Sequence, residues 1–327
     1  MDEGISVVVP AYKSALSLPE LVRRLEPVLK SSVTAYELIL VDDASPDNTW
    51  DVIEQLVSSH DWVRGVRLMR NYGQHNALLC GIRLARYGLT ITMDDDLQHP
   101  PEEIPKLLRR LDDTKDVVYG TPDMEQHGLW RDIATQVTKF ALQSAMGVSI
   151  ARKAGALRLF RTKLRDAFER YDGPYVSIDV VLTWASTRFD AVTVHHEPRR
   201  LGTSTYTFRK LLTHAMNMLT GFSTWPLQVA SMIGFFFTVG GTATLLFVVV
   251  HYLIAGGGVP GFSFLASIIA IFSGAQLFAL GIMGEYLARM HARTMQHPVY
   301  TVRESIGVTR SVGGETPLEL TRVGSGS

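Results

Sequence analysis

Between Leu211 and Gly284 the chain contains no Asp, Glu, Lys or Arg. Two apolar runs, roughly Leu227 to Leu253 and Phe262 to Leu287, occupy most of this part, joined by Ala255-Gly256-Gly257-Gly258-Val259-Pro260-Gly261. Each run is long enough to cross a hydrocarbon core about 30 Å thick with some tilt. A buried hairpin in a water-soluble protein is the remote alternative. Arg199, Arg200, Arg209 and Lys210 precede the pair, Arg289, Arg293 and Arg303 follow it, and the connection carries no Lys or Arg. The positive-inside rule then puts both ends of the hairpin in the cytoplasm. Gly240, Gly241, Gly274, Ala275, Gly281 and Gly284 would let helices approach closely, within the hairpin or between copies. Glu285 can pair with Arg289 one helical turn on.

Nearly all the charge lies before this stretch, and over 327 residues it sums to zero with a pI of about 7.2. That balance offers no electrostatic case for nucleic acid binding. Cys80 is the single cysteine, which excludes an intrachain disulfide and a thiolate metal site. Met1-Asp2-Glu3-Gly4 is acidic and runs straight into an apolar strand, unlike a signal peptide.

The first part alternates two periods. Ile5 to Pro10, Tyr36 to Val41, Trp62 to Met69 and Leu89 to Met93 read as buried strands, and Leu18 to Leu29, Thr49 to Val57 and Gln74 to Arg86 as helices. That order argues for a doubly wound, mostly parallel α/β sheet. Two strands end in acids, Asp42-Asp43 and Asp94-Asp95-Asp96, and such strand ends can converge on one ligand crevice. On an extended chain Asp94 and Asp96 would share a face and Asp95 would point away. A hard divalent cation, Mg²⁺ or Mn²⁺, would relieve their repulsion and leave positions for phosphate oxygens and water. The bland alternative is that these acids cap the helix begun by Pro100-Pro101-Glu102. There is no GxGxxG and no GxxxxGK[ST], so neither a dinucleotide fingerprint nor a P-loop is indicated.

After Val117-Val118-Tyr119 the pattern changes. Leu129 to Met146 sets Trp130, Ala134, Val137, Ala141 and Ala145 on one helical face, which suits an interfacial helix at a membrane or one covering the soluble core. Tyr175 to Thr187 predicts a further helix and Ala191 to His196 a strand. His195-His196-Glu197 reads as structural, because adjacent strand residues face opposite ways. The tail after Arg303 is rich in Gly, Ser and Thr and reads as disordered. The resulting division is 1–205 for the α/β domain with the 129–146 helix, 206–225 for a juxtamembrane helix, 226–290 for the hairpin and 291–327 for a partly disordered tail.

Four ordered motifs now carry a resemblance: Val7-Val8-Val9-Pro10-Ala11-Tyr12, Val41-Asp42-Asp43-Ala44-Ser45-Pro46-Asp47-Asn48-Thr49, Arg70-Asn71-Tyr72-Gly73-Gln74-His75 and Asp94-Asp95-Asp96-Leu97-Gln98-His99-Pro100-Pro101-Glu102. Together with the apolar pair and Gly284-Glu285-Tyr286 they resemble glycosyltransferase family 2, in its polyprenyl-phosphate branch. The resemblance implies a GT-A (Rossmann-like) nucleotide-sugar domain on the cytoplasmic face of the plasma membrane, and a homo-oligomer, often a tetramer. It implies that Pro10, Tyr12, Asp43 and Asn71 line the nucleotide pocket together with Asp94 and Asp95. Asp94 and Asp96 match the two acids of a DXD metal motif, and Gln98 a neighbouring metal position. Arg131 matches a basic residue that meets the acceptor phosphate, with Ser204 in the loop Gly202-Thr203-Ser204-Thr205-Tyr206 and Arg209 beside it. Asp96 and Arg131 are thereby the candidate catalytic residues.

Departures from the family pattern stand at Lys13, Ser14, Pro122, Arg152 or Lys153, and Thr205. The implied activity is inverting transfer of a sugar from a nucleotide diphosphate sugar to a polyprenyl phosphate such as undecaprenyl phosphate, in cell-envelope glycan synthesis, with Mg²⁺ or Mn²⁺. Two other readings stand beside it. A transferase acting on a glycan or lipid hydroxyl would need a base, for which Asp95 or Asp179 would be the candidates. A non-catalytic nucleotide-sugar-binding scaffold would fit the departures, and the acids at both strand ends argue against it.

Overall fold

A computed structural model describes residues 4–122, 154–173, 176–197, 225–255, 261–295 and 297–308. The β-branched runs form β1 (Ile5–Ala11), β2 (Tyr36–Asp42), β3 (Val63–Leu68), β4 (Leu89–Thr92) and β5 (Val117–Pro122). Between them lie α1 (Leu18–Ser32), α2 (Thr49–Ser59), α3 (Gln74–Leu84) and α4 (Ile104–Arg110), the last preceded by a 3-10 turn at Pro101–Glu103. Further on come β6 (Arg158–Arg161), α5 (Ile178–Ala185) and β7 (Phe189–Val194). Two long helices, α6 (Trp225–Ala255) and α7 (Phe262–Thr294), precede a last strand, β8 (Val302–Ile306).

The eight strands form one sheet in the order β7-β5-β6-β4-β1-β2-β3-β8. β1 pairs in parallel with β2 and β4, β2 with β3, and β5 with β7. β6 is antiparallel to both neighbours, and β8 is antiparallel to β3. The sheet is therefore mixed but mostly parallel. Alternation along β1 sends Val7 and Val9 to one face, packed with α1, α2 and α4, and Val8 to the other, packed with α3 and α5. On α1, Leu18, Leu21, Val22, Leu25 and Leu29 are buried at helical spacing, each such side chain contributing about 1.5–3 kcal/mol of burial. Gly81 lies against Val8, so α3 sits close on the sheet.

Two sequence expectations differ from this architecture. β6 was not foreseen as a strand, because its four residues include Arg158 and Arg161. Glu304, Ser305 and Ile306, within the tail expected to be partly disordered, belong to β8, so the sheet is not confined to residues 1–205; residues 309–327 lie outside the described residues. β8 is short and polar, but β3 offers an open edge, and pairing satisfies its backbone groups. Around it Met69 N–H donates to the Thr301 carbonyl at 2.9 Å, Arg64 Nε to the Gly307 carbonyl at 3.2 Å, and Arg67 pairs with Glu304 at 3.3 Å.

Both long helices contain windows apolar enough to cross a membrane, Pro226–His251 and Ile271–His291. They pack together through Phe237 and Phe272, ring centroids 5.5 Å apart. Of the glycines expected to permit close approach, Gly241 faces Phe272, while Gly240, Gly274, Gly281 and Gly284 face open space. Outward side chains such as Phe235, Phe236, Leu246 and Leu277 are exposed. Glu285 pairs with Arg289 at 2.6 Å, and Arg293 near the end of α7 lies 5.8 Å from the Tyr171 ring centre.

Candidate active site

The chain runs from β1 outward to β2 and β3, then returns to place β4 on the other side of β1. Such a reversal opens a crevice beyond the C-terminal strand ends, where open α/β sheets bind ligands. The loops after β1, β2 and β4 line it, and each contains one non-glycine residue in the left-handed region: Lys13 at φ 59°, Ala44 at φ 54° and Leu97 at φ 60°. Such a conformation costs of order 1–3 kcal/mol and persists where surrounding bonds over-determine it, as they do here. Tyr12 N–H donates to Ser14 Oγ, Lys13 N–H to Ser45 Oγ, Ser14 N–H to Thr49 Oγ1 and Ser45 N–H to Asp42 Oδ1, all between 2.9 and 3.1 Å. The loops after β1 and β2 are thus one bonded unit. Pro10 is buried in β1 at this edge, and Tyr12 projects with 46% exposure.

Asp43 is buried. Its Oδ1 accepts Tyr72 N–H at 2.7 Å and its Oδ2 accepts Gly73 N–H at 2.8 Å. Burial pushes its pKa up against those two bonds. The carboxylate holds the loop between β3 and α3, on which Asn71 is exposed. Asp42 is fully buried beneath it and 3.3 Å from Arg67 Nε.

The acidic loop begins beyond Thr92, so strand alternation does not orient its side chains; a turn around Leu97 does. Asp94 Oδ1 accepts Gln74 Nε2–H from the start of α3 at 2.6 Å. Asp96 Oδ1 accepts Gln98 N–H at 3.1 Å. Asp95 turns toward α1 and accepts Ser17 Oγ–H at 3.2 Å, its pKa raised by burial. Asp94, Asp96 and Gln98 are all half-buried on this short loop. His99 follows, its Nδ1 buried without a hydrogen-bond partner and its ring 5.0 Å from that of His196, edge to face. Burial, then the neighbouring His196, lowers the His99 pKa to about 4, so the ring is neutral near pH 7.

Two carboxylates and an amide oxygen suit a hard cation that keeps positions for other oxygens. Among the described residues no group of three or more His, Cys, Asp and Glu is placed to hold a metal. A cation here would therefore need Gln98, ligand phosphate oxygens or water to fill its shell.

Beside the loop lies a charged pair that sequence reasoning missed. Register places Arg158 of β6 opposite Thr92. Arg158 grips Asp179 of α5 through Nε–Oδ1 at 2.7 Å and Nη2–Oδ2 at 2.9 Å, and its Nη1 donates to the Ala156 carbonyl at 3.0 Å. Both residues are buried. Burial would raise the Asp179 pKa, but the Arg158 guanidinium holds it below the usual carboxylate range. A carboxylate so paired is a poor base, and Asp95 is turned toward α1, so neither placement favours the hydroxyl-acceptor reading. The available signal was one opposite charge in each of two apolar runs, Leu157-Arg158-Leu159-Phe160 and Ile178-Asp179-Val180-Val181. Arg131, Ser204 and Arg209, and the departures at Arg152, Lys153 and Thr205, lie outside the described residues. Of the other departures, Lys13 is exposed, Ser14 is buried and Pro122 ends β5.

Residues 6–168 match the family model described as glycosyl transferase family 2. An undecaprenyl-phosphate 4-deoxy-4-formamido-L-arabinose transferase of Pseudomonas paraeruginosa is 33% identical over 324 residues, covering 98% of this chain and 94% of the relative. The protein of the same description in Proteus mirabilis is 34% identical over 310 residues, covering 94% of this chain and 95% of the relative. Among solved structures, glucosyl-3-phosphoglycerate synthase from Mycobacterium tuberculosis superposes with a TM-score of 0.47 at 15% identity, over 67% of this chain and 78% of the other.

Proposed function

The chain belongs to glycosyl transferase family 2 and is a glycosyltransferase of GT-A fold, and on that premise we propose that it transfers a sugar from a nucleotide diphosphate sugar to a polyprenyl phosphate, with inversion, at the cytoplasmic face of a membrane. One observation carries this reading: the acidic loop at the switch of the sheet belongs to a chain whose long apolar helix pair is joined back to that same sheet by β8. Full-length similarity to undecaprenyl-phosphate sugar transferases supports the same acceptor class.

In this reading Tyr12, Asn71 and the loop fixed by Asp43 form the nucleoside wall. Asp94 and Asp96, with Gln98 beside them, would hold a divalent cation, Mg²⁺ or Mn²⁺. The cation would neutralise charge on the departing diphosphate. The acceptor needs little help to become a nucleophile, because a phosphate monoester with a second pKa of about 6 is largely ionised near pH 7. That removes the need for a strong general base, in keeping with the tied-up carboxylates of Asp95 and Asp179. Arg131, Ser204 and Arg209 would face the acceptor phosphate.

The test uses membranes containing the full chain, undecaprenyl phosphate and labelled nucleotide sugars with Mg²⁺ or Mn²⁺. An acid-labile glycolipid is expected. A glycan or acid-stable lipid product, or no product from any donor supplied, nucleotide-linked 4-deoxy-4-formamido-L-arabinose among them, overturns the proposal.

A further inference from the structure

Away from the crevice, α1 carries two adjacent arginines with different surroundings. Arg23 pairs with Glu20 on the helix surface and is 71% exposed. Arg24 is 17% exposed and binds two elements at once. Its Nε donates to Glu102 Oε1 at 3.0 Å and its Nη2 to Glu102 Oε2 at 2.8 Å, and Nη2 also donates to Glu197 Oε1 at 3.2 Å. Glu102 lies in the 3-10 turn that leaves the acidic loop, and Glu197 follows the end of β7.

The same two segments touch at three further points. Glu197 N–H donates to the Gln98 carbonyl at 2.9 Å, His195 N–H donates to Glu103 Oε2 at 3.1 Å, and the His196 ring meets that of His99. Gln98, a candidate cation ligand, is therefore held through its backbone by the residue that Arg24 grips. In sequence, Glu197 leads directly to Arg199, Arg200 and the Gly202–Tyr206 loop, and then to the apolar pair.

We propose that Arg24 is a positioning residue: by bridging Glu102 and Glu197 it holds the exit of β7 against the acidic loop, and so keeps Gln98 and the candidate cation ligands Asp94 and Asp96 in place. The inference rests on the function proposed above. The bridge is partly buried, Arg24 at 17% and Glu197 at 16% exposure, so its loss also costs stability, and cation binding is the readout that separates positioning from stability. A planar guanidinium can serve two carboxylates at once; a lysine ammonium cannot reproduce that fork.

The experiment uses the full chain in lipid nanodiscs, with Mn²⁺ binding followed by electron paramagnetic resonance in the absence of substrates, and transfer kinetics with undecaprenyl phosphate alongside. Arg24→Met is expected to weaken Mn²⁺ binding about tenfold, the lower end for outer partners of metal ligands. Transfer should fall at limiting Mn²⁺ and recover as Mn²⁺ is raised, a response that a general loss of stability does not give. Arg24→Lys should behave like Arg24→Met. Glu197→Gln keeps the backbone bond to Gln98 and should reproduce much of the effect, with the double variant no worse than Arg24→Met alone. Unchanged Mn²⁺ binding in Arg24→Met, or strictly additive losses in the double variant, overturns the role of Arg24 alone. Wild-type protein that binds no Mn²⁺ overturns the cation assignment itself.

Discussion

Two kinds of carboxylate lie near the end of β4. Asp179, paired with Arg158, is fully enclosed and satisfied by one guanidinium. Asp94 and Asp96 stand half-buried on a turn past the strand, in one of the loops that line the crevice. The residue type is the same, and the difference lies in what each is bonded to. A buried, paired carboxylate has spent its charge on the fold, whereas under the proposed function the carboxylates on the turn would also take a cation.

Breaking the half-buried set on the turn should cost activity with little stability. Asp96→Asn is expected to lower cation-dependent transfer by about two to three orders of magnitude, the scale of losing a principal electrostatic element. Circular dichroism and nanodisc insertion should remain those of the wild type, and full activity with the metal titrated would remove Asp96 from the site. Breaking the enclosed set should do the reverse. Arg158→Met leaves the Asp179 carboxylate buried and alone and is expected to cost about 3–5 kcal/mol in denaturant unfolding. Combining it with Asp179→Leu should recover much of that loss, since an apolar pair of similar volume needs no compensation. Failure to recover would mean that the pair also shapes the acidic loop.

A sharper contrast separates donor from acceptor. Arg131→Ala is expected to raise the acceptor KM about tenfold, as for one charge-assisted phosphate contact, and to change the donor KM little. Equal change in both would count against that role. The smallest effect belongs to β8, where Glu304→Ala removes a half-exposed partner of Arg67. Its expected cost is about 0–1 kcal/mol, measured by the same unfolding titration.

Legibility followed the range of the interactions involved. The strands Ile5–Ala11 and Tyr36–Asp42 were readable because a buried parallel strand is a continuous apolar run, and α1 because its leucines repeat at helical spacing. The acids at 42–43 and 94–96 were readable as strand ends for the same reason. β6 and β8 were not, since each is short, carries charge, and owes its state to a neighbouring strand far away in sequence. Strand alternation suggested only that Asp95 points away from the face of Asp94 and Asp96; its turn toward α1 goes with the turn at Leu97 and the Ser17 hydroxyl.

Local pattern alone determined the alternating α/β order, the long uncharged helices and the position of the acidic loop, because periodicity and charge are written residue by residue. Which carboxylates are locked in ion pairs was decided in three dimensions. Arg158 meets Asp179 across 21 residues, and Arg24 meets Glu197 across 173. Only folding brings such partners within hydrogen-bond distance, and pairing at that distance is what divides structural charge from chemical charge.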